Sequence, residues 1–536
     1  MPTVEYQERI GLVPQEDIVD RNLTVRELLE FNAYARLDNP AKGVVDAVVQ
    51  EVLSDLAITS IADTVIGGGE NVAANISGGE LKRVNIACEL VSLRRPAILL
   101  LDEPTSGLDA AVAEELVKVL KNLTLHGVTV CLVLQQPRPE IFSSLDKVFL
   151  MILGGSIVFE GPAVSAASHL ASFGFKQKDE TSDADFCIDV LNNLIASDTP
   201  STSTVDLAVS WRSSPSIDVS YMSFEVDDEA IAMHASNSSV PVSSFFRIFW
   251  LQAWRAFVIR MRHQDSLVVY ASLAVLMAAA LSSGFSVLIQ KSFLKTLTPP
   301  IAFGGYYPSP ISNLSGRNAQ DLGFQQLLFF MSSALGTASS LAAVPLLSVP
   351  LSLVKREDLA GIPVLTFACG RIFADILNVV WIAFVFAGVW VLFGHAGTWY
   401  NWIAVIVATA FASSGIGYVC TVSSSPGYAS TASILLTFVC CVFSGVSPTL
   451  KQVQDLHVIN WVWYISFGTW TAEATYLTWT EYLLERPWIR NEVVNAADYY
   501  GYEISHNMQR SLGWLFAIGI FWRVVAASVL YFKIHD

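Results

Sequence analysis

Short aliphatic runs alternate with amphipathic segments through the first third of the chain. "RIGLV" (9–13), "AILLLD" (97–102), "VTVCLVL" (128–134) and "KVFLMIL" (147–153) are apolar, rich in branched residues and short, which predicts buried strands. "TVRELLEFNAYARL" (24–37) and "VAEELVKVLKNL" (112–123) space their apolar positions three and four apart, which predicts amphipathic helices. Strands separated by helices predict an α/β layer on a parallel sheet over residues 1–175. Beyond Ser266 the periodicity gives way to long uncharged runs. Residues 266–290 and 322–354 carry no charge, and 376–450 contains no Lys, Arg, Asp or Glu. A crossing of ~30 Å of hydrocarbon takes about 20 residues, so 376–450 holds about three spans. Breaks are expected at "GHAGTWYN" (394–401) and "SSSPGY" (423–428). With a last run over 511–532, the chain is expected to cross a membrane about six times.

Composition agrees with this division. The 536 residues are 53% hydrophobic and only 15% charged, with mean hydropathy +0.47, too apolar for an ordinary soluble protein. Lys and Arg number 32 against 48 Asp and Glu, a net charge of −16, which argues against nucleic acid as a partner. Acid concentrates between Asp179 and Glu229, where Arg212 is the lone basic residue. Residues 176–242 therefore divide into a segment closing the first domain and an acidic Ser/Thr/Pro-rich linker. The rest, 243–536, forms the membrane domain. It opens on "FFRIFWLQAWRAFVIRMRHQD" (245–265), where Arg247, Arg255, Arg260 and Arg262 sit among aromatics, the pattern of an interfacial helix. The seven cysteines have no metal-ligand spacing.

Two stretches carry chemistry. "AILLLDEP" ends an apolar run in two carboxylates, and a strand would present Asp102 at the carboxyl edge of a sheet. There Asp102 suits Mg²⁺ and Glu103 suits a water to be polarised. For "ILLLDE" alone, a strand followed by incidental acids is the competing reading. "ISGGE" sets Ser77, Gly78 and Gly79 ahead of a helix expected to start near Glu80, where backbone N–H groups and the helix dipole favour an anion. A lone SGG is weak, because glycine pairs occur in many turns. SGGE followed by ILLLDEPTSGLD is specific.

Together these stretches resemble the signature motif, Walker B strand and D-loop of ABC transporter nucleotide-binding domains, in the G-subfamily order with that domain before about six membrane helices. "IGLVPQEDIVDRNLTVREL" is similar to the Q-loop region, with Gln15 in the Q-loop position, and Asp109 falls in the D-loop. "DADFCIDVL" (183–191), "KREDLAGIPV" (355–364), "FSGVSPTLKQ" (443–452), "WYISFGTWTAEA" (463–474) and "WRVVAASVLY" (522–531) extend the resemblance over nearly the whole chain.

The resemblance implies an ATP-driven half-transporter exporting lipid-like or other apolar small molecules. Its ATP contacts would be Gln15, Ser77, Gly78, Gly79, Glu80, Asp102 and Asp109, its Mg²⁺ ligands Gln15 and Asp102, and its catalytic positions Glu103 and Gln135. The partners would be a second half-transporter, as homo- or heterodimer, and membrane lipid. The nucleotide domain and both termini would be cytoplasmic, in the plasma membrane or an organelle membrane. Phe329, Phe330, Phe438 and Phe443 suit either an apolar cargo path or helix packing and lipid contact. Arg371 and Asp375, four apart, are expected to pair near a helix end.

Two departures bear on activity. The sequence holds no Gly-Lys dipeptide, so G-x-x-x-x-G-K-[ST] does not occur, and a nucleotide domain incomplete at its N-terminus and lacking Walker A is expected. Gln135 in "LVLQQPRPEIF" stands where the family has a switch histidine; an amide donates a hydrogen bond but carries no proton. Alternative functions are a catalytically inactive subunit lending its signature motif to a complete partner, and a non-catalytic membrane scaffold.

Overall fold

β1 (Ile10–Val13), β4 (Ile98–Asp102) and β5 (Thr129–Val133) form a parallel sheet in the order β1-β4-β5. Val13 pairs with Leu101, and Asp102 with Val133, so the strands end nearly level. The structure is a computed structural model describing residues 10–37, 40–69, 72–91, 96–178, 180–195, 207–209, 245–262, 268–281, 324–392, 398–444, 448–454, 461–484, 490, 494, 497–498, 500–502 and 508–535. Two compact units divide the chain, Met1–Ser244 and Phe245–Asp536.

In the first unit, α1 (Val25–Arg36) and α2 (Lys42–Asp55) follow β1, and β2 (Gly67–Gly69) pairs with β3 (Val72–Ala74) in a short antiparallel ribbon. α3 (Gly78–Leu90) precedes β4, and α4 (Ala110–Leu125) joins β4 to β5. α1 starts at a capping box, Thr24 accepting from the Glu27 N–H while the Glu27 carboxylate takes the Thr24 N–H at 2.8 Å. One sheet face is closed by helices, with Val13, Leu99 and Leu101 buried. The opposite face leaves Leu12, Leu100, Cys131 and Val133 exposed among the described residues. All four expected strand segments are strands, but β1, β4 and the strand of "KVFLMIL" are buried on one face only and β5 is half-buried on one face and exposed on the other.

"KVFLMIL" also departs from the expected parallel order. It supplies β6 (Val148–Met151), which pairs antiparallel with β7 (Ile157–Gly161). Only a short turn separates the two, and a parallel crossover needs a dozen residues or more. α5 (Pro139–Ser144), α6 (Ala163–Ser172) and α7 (Asp183–Leu191) pack on this hairpin around Phe159, Leu170 and Phe186. Of the acidic stretch, residues 207–209 are described, and Leu207 and Ala208 are buried in that same core. This piece is docked rather than free.

The second unit is helical throughout its described residues. It comprises α8 (Phe245–Arg262), α9 (Val268–Leu281), α10 (Phe324–Leu347), α11 (Leu351–Leu359), α12 (Val364–Leu392), α13 (Trp399–Ser423), α14 (Pro426–Val442), the short α15 (Leu450–Gln454) and α16 (Trp461–Ile465), α17 (Phe467–Leu484) and α18 (Gln509–His535). Among the described residues, four helices are long and apolar enough to cross a membrane: α10, α12, α13 and α18. α9 and α14 are shorter apolar helices lying on two further expected spans.

Close helix approaches explain glycines here. A Cβ on Gly370 would lie 2.6 Å from the Gln252 Cβ and 2.8 Å from the Phe249 carbonyl, so α8 sits directly on α12. A buried cluster joins α8 to α11: Arg255 and Glu357 pair at 2.5 Å, and Gln252 donates to Glu357 at 3.0 Å while accepting from Arg255 at 2.8 Å. Arg523, the lone charge of the last apolar run, is satisfied inside the bundle. Its guanidinium donates to the Phe411 and Gly519 carbonyls and to the Ser414 hydroxyl at 2.8–2.9 Å, and lies 3.7 Å from the Phe411 ring centroid. The expected Arg371–Asp375 pair is replaced by other partners. Arg371 donates to the Leu346 carbonyl and stacks on Phe367, while Asp375 accepts from Tyr418 and Asn378.

Candidate functional site

The three parallel strands deliver their next residues to one edge. Gln15 follows β1 by two positions, Glu103 follows β4 by one, and Gln135 follows β5 by two. Residues far apart in sequence meet there. The Gln15 amide donates to one Glu103 oxygen at 2.9 Å, and the Gln135 amide donates to the other. Glu103 is half-buried, whereas Gln15, Asp102 and Gln135 are exposed. Crevices beyond the carboxyl ends of parallel strands are where such sheets bind ligands.

Glu103 holds a backbone φ of +44°, a left-handed conformation a residue with a Cβ rarely adopts. Such strain costs on the order of 1–3 kcal/mol and persists where surroundings over-determine it. Here the loop to α4 closes tightly: the Ser106 N–H donates to the Glu103 carbonyl at 3.1 Å, and Gly107 turns at φ +74°. Asp109 ends the loop as the N-cap of α4, accepting from the Ala111 and Val112 N–H groups at 3.0 and 3.1 Å.

Lys82 of α3 fixes Gln15. It is 3% exposed, donates to the Gln15 carbonyl at 2.8 Å and pairs with Asp17 at 2.9 Å. Asn85, one turn on, donates to Asp17 at 3.3 Å. Neither residue stood out in the sequence; the signal was a lysine and an asparagine three apart on one face of the helix.

Ser77 is the N-cap of α3 and makes a capping box with Glu80, whose carboxylate accepts the Ser77 N–H at 2.7 Å and hydroxyl at 2.8 Å. Ser77 and Gly78 are exposed. Gly79 is buried, and a Cβ there would collide with the Val112 side chain of α4. The second glycine therefore serves helix packing, and the first remains open to solvent. No interaction joins Ser77–Glu80 to Glu103 within this chain among the described residues; the two groups are separate.

Family models give this geometry its context. The ABC transporter model matches residues 2–106, and two models described as ABC-2 type transporter match 247–478 and 135–270. The chain joins an ABC transporter nucleotide-binding region to an ABC-2 type membrane domain. It is similar to "ABC transporter G family member 28" of Arabidopsis thaliana, 38% identical over 209 residues, covering 38% of this chain and 18% of that protein. It is also similar to "ABC-type transporter claG" of Penicillium crustosum, 26% identical over 485 residues, covering 89% of this chain and 60% of that protein. The mouse "Broad substrate specificity ATP-binding cassette transporter ABCG2" is 38% identical over 183 residues, covering 34% of this chain and 27% of that protein. In each case the matched part is less than two thirds of the relative's length. The nucleotide-binding region before the membrane domain, with G-family names among the relatives, is consistent with a G-subfamily half-transporter.

An ABC nucleotide-binding region implies ATP, ordinarily with Mg²⁺. Among the described residues no three His, Cys, Asp or Glu side chains converge as a metal cage. Mg²⁺ on a nucleotide keeps waters and phosphate oxygens and takes one or two protein oxygens. Asp102 offers a carboxylate. The nitrogen of the Gln15 amide faces Glu103, leaving its oxygen for a hard cation.

Proposed function

We propose that this chain is an ATP-driven half-transporter that exports lipid-like or other apolar small molecules, working with a second half-transporter. The observation that carries the reading is the convergence of Gln15, Glu103 and Gln135 beside Asp102, at one sheet edge, in a chain whose other unit is an apolar helical bundle. Asp102 and the Gln15 oxygen would hold Mg²⁺. Glu103 would polarise the attacking water once one of its amides turns away, and the freed Gln135 would donate to the γ-phosphate. Bound ATP and Mg²⁺ supply the phosphoryl bond and the charge neutralisation. Ser77 and Gly78 would face the partner's nucleotide, while Gly79 packed on Val112, Glu80 bonded to Ser77 and Asp109 capping α4 hold that surface in place. Phe330 and Phe438, both about half exposed, give the membrane domain an aromatic surface suited to apolar cargo or lipid. The nucleotide-binding unit and both termini lie in the cytoplasm.

Two features favour a second reading: this sequence holds no G-x-x-x-x-G-K-[ST] to cradle the phosphates beside Glu103, and the Gln135 amide cannot take the charge a histidine would. In that reading the chain lends Ser77–Glu80 to a complete partner and hydrolyses nothing at Glu103. Co-reconstitution with a complete half-transporter separates the two. Under the first reading Glu103→Gln lowers ATP hydrolysis by about 10²-fold or more. Under the second it leaves hydrolysis unchanged while Ser77→Arg abolishes it.

A further inference from the structure

Asp375 lies midway along α12 and is 2% exposed. The Tyr418 hydroxyl of α13 donates to its Oδ2 at 2.5 Å, and the Asn378 Nδ2, one turn along α12, donates to its Oδ1 at 3.0 Å. Both donors are neutral, and among the described residues no Lys, Arg or His forms an ion pair with Asp375. The other oxygen of the same amide, Asn378 Oδ1, is buried without a hydrogen-bond partner. Buried acceptors are almost always satisfied, and an orphan beside a titratable group needs an explanation.

We propose that Asp375, Asn378 and Tyr418 form a proton-binding site inside the membrane domain. In the arrangement seen, the carboxylate accepts from both neighbours and the amide oxygen is stranded. A proton taken from water bonds to Asp375 Oδ1 and turns that atom into a donor. The Asn378 amide then rotates by half a turn, so that its oxygen accepts the new O–H; Tyr418 keeps its bond to Oδ2. The amide oxygen gains a partner while the amide nitrogen takes its former place and gives up its bond to Asp375, so the net gain is removal of the buried charge, which is favourable in an apolar interior. The groups facing Asp375 from neighbouring helices are Tyr418 of α13, Arg523 of α18 and Arg260 of α8. Arg523 is committed to the Phe411, Gly519 and Ser414 oxygens. α10 carries no charged side chain. α11 carries Lys355, Arg356, Glu357 and Asp358, of which Glu357 is held by Arg255. On α12 itself, Arg371 donates to the Leu346 carbonyl. Tyr418 and Arg523 also touch, 5.3 Å from guanidinium to ring centroid, so the state of Asp375 reaches α18 through Tyr418.

The test is infrared difference spectroscopy of the full chain in lipid nanodiscs between about pH 5 and about pH 8. The wild type is expected to show a carboxylic-acid C=O band that grows as pH falls and is absent in Asp375→Asn. Tyr418→Phe keeps Asp375 and is expected to keep the band, with its titration displaced by about one pH unit, a tenfold change in proton affinity. Circular dichroism verifies that each variant remains helical. A titrating band that survives in Asp375→Asn overturns the proposal. So does a wild-type spectrum without such a band, or an undisplaced titration in Tyr418→Phe should Asp375→Asn fail to fold.

Discussion

Glu103 is held at both carboxylate oxygens by neutral amides on a strained backbone, and the chain spends other residues to keep it there. Lys82 contributes most visibly, because it anchors the carbonyl of Gln15, whose side chain reaches Glu103. Lys82→Met preserves the stem but leaves the Gln15 carbonyl without its donor and the Asp17 carboxylate with Asn85 and no cation. A loss of about 1–3 kcal/mol is expected, seen as a lower melting temperature of the full chain. An unchanged melting temperature would mean that the loop holds itself. Cysteines report burial at the same scale. Cys187 is 1% exposed, and burial, with help from Asp183, pushes its thiol up to about 12. A raised acid favours the neutral form in the folded state, so this contribution is full below the ordinary thiol value of ~8.5 and is lost as pH rises toward that folded value. At neutral pH maleimide is expected to modify exposed Cys131 and spare Cys187, which peptide mass mapping reads directly. Equal labelling of the two would contradict the packed α6–α7 core.

At the scale of elements, the meeting of α3 and α4 sets where the Ser77 motif stands relative to the Glu103 loop. Gly79 allows it, since Val112 fills the space a Cβ would need. Gly79→Ala is expected to cost about 1–3 kcal/mol by overpacking, and Val112→Ala to recover most of that in the double variant. Additive losses in a thermal-unfolding cycle would show that the two do not touch. This contact was not legible in the sequence: a glycine required by packing and a glycine required by a ligand look alike there. The strands were legible because aliphatic runs of strand length stood between turn residues. Which face of each strand is covered was not, since uniformly apolar runs such as "AILLLD" have no alternation. The order of "KVFLMIL" was missed for a related reason, as periodicity says nothing about pairing partners. Gln15, Glu103 and Gln135 were visible as motif positions, yet the convergence of the two amides on Glu103 depends on strand register. In the helical unit, spacing within α12 suggested Arg371 with Asp375, and it could not register that Tyr418 of α13 approaches more closely.

The whole molecule puts an ABC nucleotide-binding region and an ABC-2 type membrane domain on one polypeptide, and the central claim is that Glu103 chemistry in the first drives cargo movement by the second. Uptake by inside-out vesicles tests this most directly. The full chain, co-expressed with a complete half-transporter, is given a fluorescent lipid-like probe with and without ATP and Mg²⁺. The account predicts ATP-dependent accumulation that falls by about 10²-fold or more in Glu103→Gln at equal protein level. Accumulation independent of ATP, or undiminished in Glu103→Gln, would contradict it.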